Sequence, residues 1–192
     1  MWRETERDTW LQPRAVLILG IVVLCAALRV VPHPMNFAPI GAMALFCGAY
    51  FSSKRTAFLV PLLALLAGDF VSGFHALMAW VYASFLVSVS IGFWLRPQKS
   101  AARIGAATLA GAIQFFLITN FALWLSAIGS YPKTWNGLVE CYLAGLPLLG
   151  NTLAGDAFYA ALLFGGMALA EKRFPSLREP LAAMTGQTRS AP

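Results

Sequence analysis

Two aspartates, Asp69 and Asp156, sit inside stretches of sequence that are otherwise apolar. Asn120, Asn151 and Gln114 do the same, and Arg29, His33, Asn36 and His75 stand at the ends of such stretches. Polar and ionisable groups are costly in hydrocarbon, so each is a candidate for binding or for internal pairing. Carboxylates and amides with neighbouring aromatics can hold a small polar ligand. The two histidines with Asp69 and Asp156 offer nitrogen and oxygen donors for a metal. Their spacing matches no ligand motif, so no metal and no cofactor is assigned. Cys25 and Cys47 lie inside apolar runs, where a thiol packs as a small hydrophobe. Cys141 lies outside them and is the one cysteine placed to act as a soft ligand. There is no phosphate-binding glycine loop with lysine, no His-Glu-x-x-His and no Gly-x-Ser-x-Gly. The chain is not read as an enzyme.

The elements that carry these groups follow from hydropathy and charge. Of 192 residues, 59% are hydrophobic and 11% charged, whereas a soluble domain carries about 25% charged residues. Six apolar runs stand out, at roughly 15–31, 38–51, 56–71, 75–95, 103–127 and 148–170. Twelve of the fourteen Lys and Arg residues fall in alternate gaps: Arg3, Arg7 and Arg14; Lys54 and Arg55; Arg96, Lys99 and Arg103; Lys172, Arg173, Arg178 and Arg189. Short loops rich in Lys and Arg stay in the cytoplasm. The expected fold class is all-α: an integral membrane bundle of six transmembrane helices with cytoplasmic N and C termini. The expected setting is the bacterial inner membrane. The net charge of +6 resides in these flanks. It serves topology and lipid headgroups, not nucleic acid, for which no basic stripe with interleaved aromatics is present.

Residues 1–14 are expected to form a cytoplasmic N-terminal segment with Trp2 and Trp10 at the interface, 15–171 the transmembrane domain and 172–192 a cytoplasmic tail. The first run is read as a retained helix, not a signal peptide. It is long, Arg29 follows it, and no small-x-small site precedes Pro32. Prolines 32 and 34 end that helix. The second run has only fourteen residues and is rich in Gly and Ala, and Ala44-x-x-x-Gly48 suits close helix packing more than lipid. Helices three and four form a hairpin about Ser72–Phe74. After the fifth run, Asn136–Leu146 reads as a short interfacial helix that caps the bundle, with Trp124, Tyr131, Trp135 and Tyr142 as an aromatic belt or a stacking surface.

The polar groups collect at the end opposite the basic loops. This predicts a pocket open to the outside, with Asn36, Phe37, Asp69, Asn120, Trp124, Asn151 and Asp156 contacting a small-molecule substrate. His33, Tyr131 and Trp135 would belong to lids. Asp69 has a second reading as the partner of Arg29, and Asp156 as helix glue bonded to Asn120 or Tyr159. Two functions follow. In an uptake protein, Asn120, Asn151 and Asp156 line a cavity. In a membrane scaffold or assembly subunit, they pair with one another and no cavity remains.

The segment 29–51, Arg-Val-Val-Pro-His-Pro-Met-Asn-Phe-Ala-Pro-Ile-Gly-Ala-Met-Ala-Leu-Phe-Cys-Gly-Ala-Tyr-Phe, resembles the signature of an uncharacterised bacterial family of six-helix membrane proteins assigned to transport. So do Ile-Thr-Asn-Phe-Ala-Leu-Trp (118–124), Tyr131-Pro132, Cys-Tyr-Leu-Ala-Gly-Leu-Pro (141–147) and Asn-Thr-Leu-Ala-Gly-Asp (151–156). The likeness runs over about 29–166. That family is in turn similar to the substrate-binding S components of energy-coupling-factor transporters, through its six helices, its short Pro/Gly-rich second helix and the Leu-Ala-Gly-Asp end of helix three. The resemblance implies uptake of a vitamin, corrinoid or similar micronutrient, with energising transporter subunits as partners. Helix one lacks the Ala-x-x-x-Ala docking surface of the S components.

Overall fold

A computed structural model describes residues 13–29, 31, 32 and 34–178. Trp2, Trp10, residues 179–192 of the tail and His33 therefore lie outside the described residues. Six α-helices follow one another: α1 (Pro13–Leu28), α2 (Ile40–Tyr50), α3 (Lys54–Ser72), α4 (Met78–Phe93), α5 (Ala101–Leu125) and α6 (Trp135–Arg173). A short 3₁₀ turn, Pro175–Leu177, comes last. No strand occurs among the described residues.

Local chemistry sets the helix starts. α3, α5 and α6 begin after Ser53, Ser100 and Thr134, whose side chains accept the N–H of Thr56, Arg103 and Gly137. Each cap satisfies a donor that the first helical turn leaves free. α3 closes on Gly73, whose φ of 96° suits a residue without Cβ. The chain needs five residues here before α4 can start at Met78, so that helix begins three residues later than hydropathy suggests.

α2 is the axis of the bundle. It packs on all five other helices, and every residue from Ala42 to Tyr50 is buried. Around it α3 is flanked by α1 and α4, and α5 by α4 and α6. Gly48 of α2 meets Gly92 of α4 so closely that a Cβ on either would overlap backbone of the other helix. Small residues at this crossing let the backbones touch, as the Ala44-x-x-x-Gly48 spacing predicts. Phe46, Tyr50 and Phe164 form an aromatic cluster between α2 and α6.

The basic gaps meet at one end. Arg14 pairs with Glu171 at 2.8 Å and donates to the Leu177 carbonyl. Arg14 and Lys99 both stand over the Tyr50 ring. Arg96 donates to the carbonyls of Gly48 and Phe51. The start of α1, the end of α2, the α4–α5 turn and the end of α6 thus share one end of the bundle. The helices alternate in direction, and the first and last share an end.

α3, α5 and α6 are long and apolar enough to cross a membrane, while α1, α2 and α4 have 16, 11 and 16 residues. The outer surface is apolar: Phe70 is 80% exposed, and Val23 and Leu169 are 68% exposed. A water-soluble monomer does not present such a surface over most of its circumference. The chain is a membrane-type helical bundle.

The structure corrects one expectation. Asn136–Leu146 is not a separate interfacial helix: it continues as the upper part of α6, a single helix of 39 residues and about 58 Å. Pro147 lies inside it. Proline removes one helical N–H and breaks an isolated helix. Within a packed membrane bundle, neighbouring helices hold such a helix together. Here α5 does so. Cys141 Sγ donates to the Asn120 carbonyl, Tyr142 Oη donates to the Leu117 carbonyl, and Gly145 lies against the Asn120 side chain.

Candidate functional site: a cavity beside the start of the central helix

The segment between α1 and α2 folds back over α6. Phe37 N–H donates to the Pro34 carbonyl, and Asn36 takes a φ of 62°, a conformation asparagine tolerates better than most residues. Asn151 Nδ2 donates to the Met35 carbonyl at 2.9 Å. The Phe37 ring packs against Phe158 and Tyr159. Gly155 makes this possible, because a Cβ there would press on the Phe37 backbone. The next residue, Asp156, then projects past the loop toward the first turn of α2.

Beneath this loop lies a cavity of about 230 Å³. Its walls come from all six helices or their ends, with Asn36, Arg29, Ser88, Thr152 and Asp156 as polar groups and Phe85 and Phe115 as an aromatic wall. The two rings lie 5.4 Å apart. The Thr152 hydroxyl is spent on the Leu148 carbonyl of its own helix. The Ser88 hydroxyl accepts from Gln114 Nε2 at 2.8 Å and donates to the Ser84 carbonyl. Gln114 Nε2 also reaches the carbonyls of Ser84 and Gly111.

The charges are unequally satisfied. Arg29 is held on α3: it donates to the Leu65 carbonyl and pairs with Asp69, and Gly68 leaves space for its guanidinium. Asp69 is 1% exposed and accepts a second bond, from Tyr82 Oη at 2.6 Å. That closed network belongs to α1, α3 and α4. Asp156 is 5% exposed and pairs with no described Lys or Arg. Its carboxylate lies against Gly41 and faces the Ala42 backbone N–H. Helix α2 begins at Pro39–Ile40 without a side-chain cap of its own. A carboxylate at that point meets free N–H groups and the positive end of the helix dipole.

Of the residues singled out from sequence, Arg29, Asn36 and Asp156 line the cavity. Phe37 and Asn151 hold the loop that covers it. Asp69 stands behind it, paired with Arg29. Asn120 donates to the Phe116 carbonyl of its own helix and supports the upper part of α6. Trp124 donates to the Pro132 carbonyl under Lys133. It stands with Tyr131 and Trp135 around the α5–α6 turn, away from the cavity walls, and Trp135 is 76% exposed. Asn120, Asn151 and Asp156 make no bonds to one another, and Asp156 bonds neither Asn120 nor Tyr159. His75 lies in the exposed α3–α4 turn, and no cluster of three or more metal-ligating side chains occurs among the described residues. Cys141 is buried at the α5–α6 contact.

Phe85, Ser88, Phe115 and Thr152 were not singled out from sequence. Serine, threonine and phenylalanine are ordinary on an apolar helix. A sequence signal did exist for the two aspartates, since Leu-Ala-Gly-Asp occurs twice, at 66–69 and 153–156. In both copies the glycine makes room for an approaching group, the Arg29 side chain or the Phe37 backbone, and the aspartate beside it is buried.

Comparison with curated proteins and with solved structures finds no match. The model of one family, described as a family of unknown function (DUF6580), matches residues 9–177, which takes in all six helices, and the chain belongs to that family.

Proposed function

We propose that this protein takes up a small micronutrient across the bacterial inner membrane. The observation that carries the reading is the cavity itself: about 230 Å³, walled by all six helices, with Asn36 and Asp156 directed to one space. A scaffold whose polar groups only bind helices together has no need of such a space, and these groups do not pair with one another. The basic end of the bundle faces the cytoplasm in this reading, so the cavity lies toward the outside and the loop 34–38 covers it. The S-component resemblance supports the same arrangement. Ligand pockets commonly measure about 300–1,000 Å³. This one is smaller, so a compact vitamin or amine-sized nutrient fits better than a corrinoid macrocycle, which would require the helices to separate. Release on the other side requires a second state with lower affinity, driven by a gradient or by energising subunits.

A thermal-shift screen of the detergent-solubilised protein against vitamins, corrinoids, haem and divalent metals tests the reading, because a ligand that binds only the folded state raises its stability. A shift with one compact organic compound, and its faster accumulation in cells that produce the protein, is the expected result. No shift and no accumulation with any compound would favour the scaffold.

A further inference from the structure

We infer that the cavity is a site for a small organic cation, a protonated amine or quaternary ammonium, with Asp156 as its counter-charge. This rests on the uptake reading for its purpose but on separate observations for its chemistry. The first is the charge inventory of the walls. Arg29 is the cavity's one cation among the described residues, and Asp69 already neutralises it from behind. Asp156 is then left as the single carboxylate without a cationic partner, at 5% exposure. A buried charge is tolerated when it is paired. The second observation is the wall facing into the same space, the Phe85 and Phe115 rings at 5.4 Å centroid separation. Such rings form an apolar surface that takes the hydrocarbon part of a small amine.

A ligand carboxylate would find the opposite conditions. Arg29 is already neutralised by Asp69, so a ligand carboxylate would gain little net attraction there and would share the cavity with the Asp156 carboxylate. A neutral ligand would leave Asp156 with only the backbone at the start of α2. The cavity volume limits the occupant to a compact molecule. An ammonium group at Asp156 with its hydrocarbon part against Phe85 and Phe115 satisfies charge, shape and polarity together.

The test uses three molecules of one shape: cyclohexylamine, cyclohexanol and cyclohexanecarboxylate. Each is titrated at neutral pH into the purified full-length protein in detergent, with binding read by calorimetry and by thermal shift. Gly111→Leu, which puts a side chain into the cavity from α5, serves as the blocked control. The expected result is binding of the amine alone, lost in Gly111→Leu and weakened about tenfold or more in Asp156→Asn, which keeps the side chain's shape and removes its charge. Equal binding of the alcohol, preference for the carboxylate, amine binding that survives Asp156→Asn, or no amine binding to the folded wild type would each overturn the assignment. Should Asp156→Asn fail to fold, the wild-type series of three decides alone. Alcohol or carboxylate binding that Gly111→Leu abolishes would remove the cation class and leave uptake standing. Failure of uptake itself is read separately, in cellular accumulation.

Discussion

Asp156 of α6 stands against Gly41 in the first turn of α2, and a methyl group on Gly41 would overlap its carboxylate. The contact joins the axial helix to the cavity wall, since both residues line the same space. Gly41→Ala is therefore expected to displace the carboxylate and to destabilise the protein by about 1 kcal/mol, the low end of overpacking costs, since the Asp156 tip can shift. Adding Asp156→Ala removes the overlap, so the double variant should recover part of that loss. Thermal unfolding of the two single variants and the double variant measures this coupling. Additive losses would show that the two residues do not press on one another.

Arg29 and Asp69 make a second testable pair. Asp69 is 1% exposed, and Arg29 and Tyr82 are its only described side-chain partners. Arg29→Met leaves a buried carboxylate with Tyr82 alone and should cost about 3–5 kcal/mol. Arg29→Met with Asp69→Asn removes both charges and should return most of it. Tyr82→Phe removes one bond to a charged group and should cost about 1.5–3 kcal/mol. Denaturation of the purified variants reads all three. A harmless Arg29→Met would mean that the pair does not support the fold.

The architecture was largely legible in the chain, and the site only partly. Hydropathy and the alternation of Lys and Arg located six helices because both act along the sequence. Arg14, Lys99 and Arg96 then gather around Tyr50 and Phe51 as the alternation requires. The full length of α6 was not legible, because a proline such as Pro147 is an ambiguous signal. It breaks an isolated helix, yet α5 supports α6 in the turn and a half before it, through the Leu117 and Asn120 carbonyls and the Asn120 side chain. Asp156 was legible as a costly buried group. Trp124 and Asn120 were not separable from it, because depth along a helix says nothing about the face on which a residue lies. Phe85 and Phe115 became visible only when α4 and α5 were brought together in space.

The α2–α4 crossing makes a sharper stability prediction than any polar contact. A Cβ at Gly92 would overlap the Leu45 carbonyl, and one at Gly48 the Val89 carbonyl. Neither neighbour is the flexible tip of a side chain, so the helices themselves must part. Gly48→Ala and Gly92→Ala should each destabilise by about 1–3 kcal/mol. Gly105→Ala on α5, where nothing lies within 4 Å, should be neutral or stabilising by about 0.4–1 kcal/mol. Parallel melting curves in one detergent compare the three. Equal behaviour would mean that α2 and α4 are not in backbone contact.

Orientation in the membrane is open to direct measurement, because the chain offers a low background. Cys25, Cys47 and Cys141 are all buried, so a polar maleimide should label the native protein weakly. Ser53, in the α2–α3 turn, and Ser130, in the α5–α6 turn, are both exposed and lie at opposite ends of the bundle. The α2–α3 turn leads straight into Lys54 and Arg55 at the start of α3, and by charge bias it belongs in the cytoplasm. In intact spheroplasts Ser130→Cys should label from outside, and Ser53→Cys only after the membrane is opened. The opposite pattern would place the loop 34–38 and the cavity on the cytoplasmic side. The protein would then be loaded from within, and the uptake reading would have to become one of export. Labelling of both positions from one side would contradict the alternation of the helices itself.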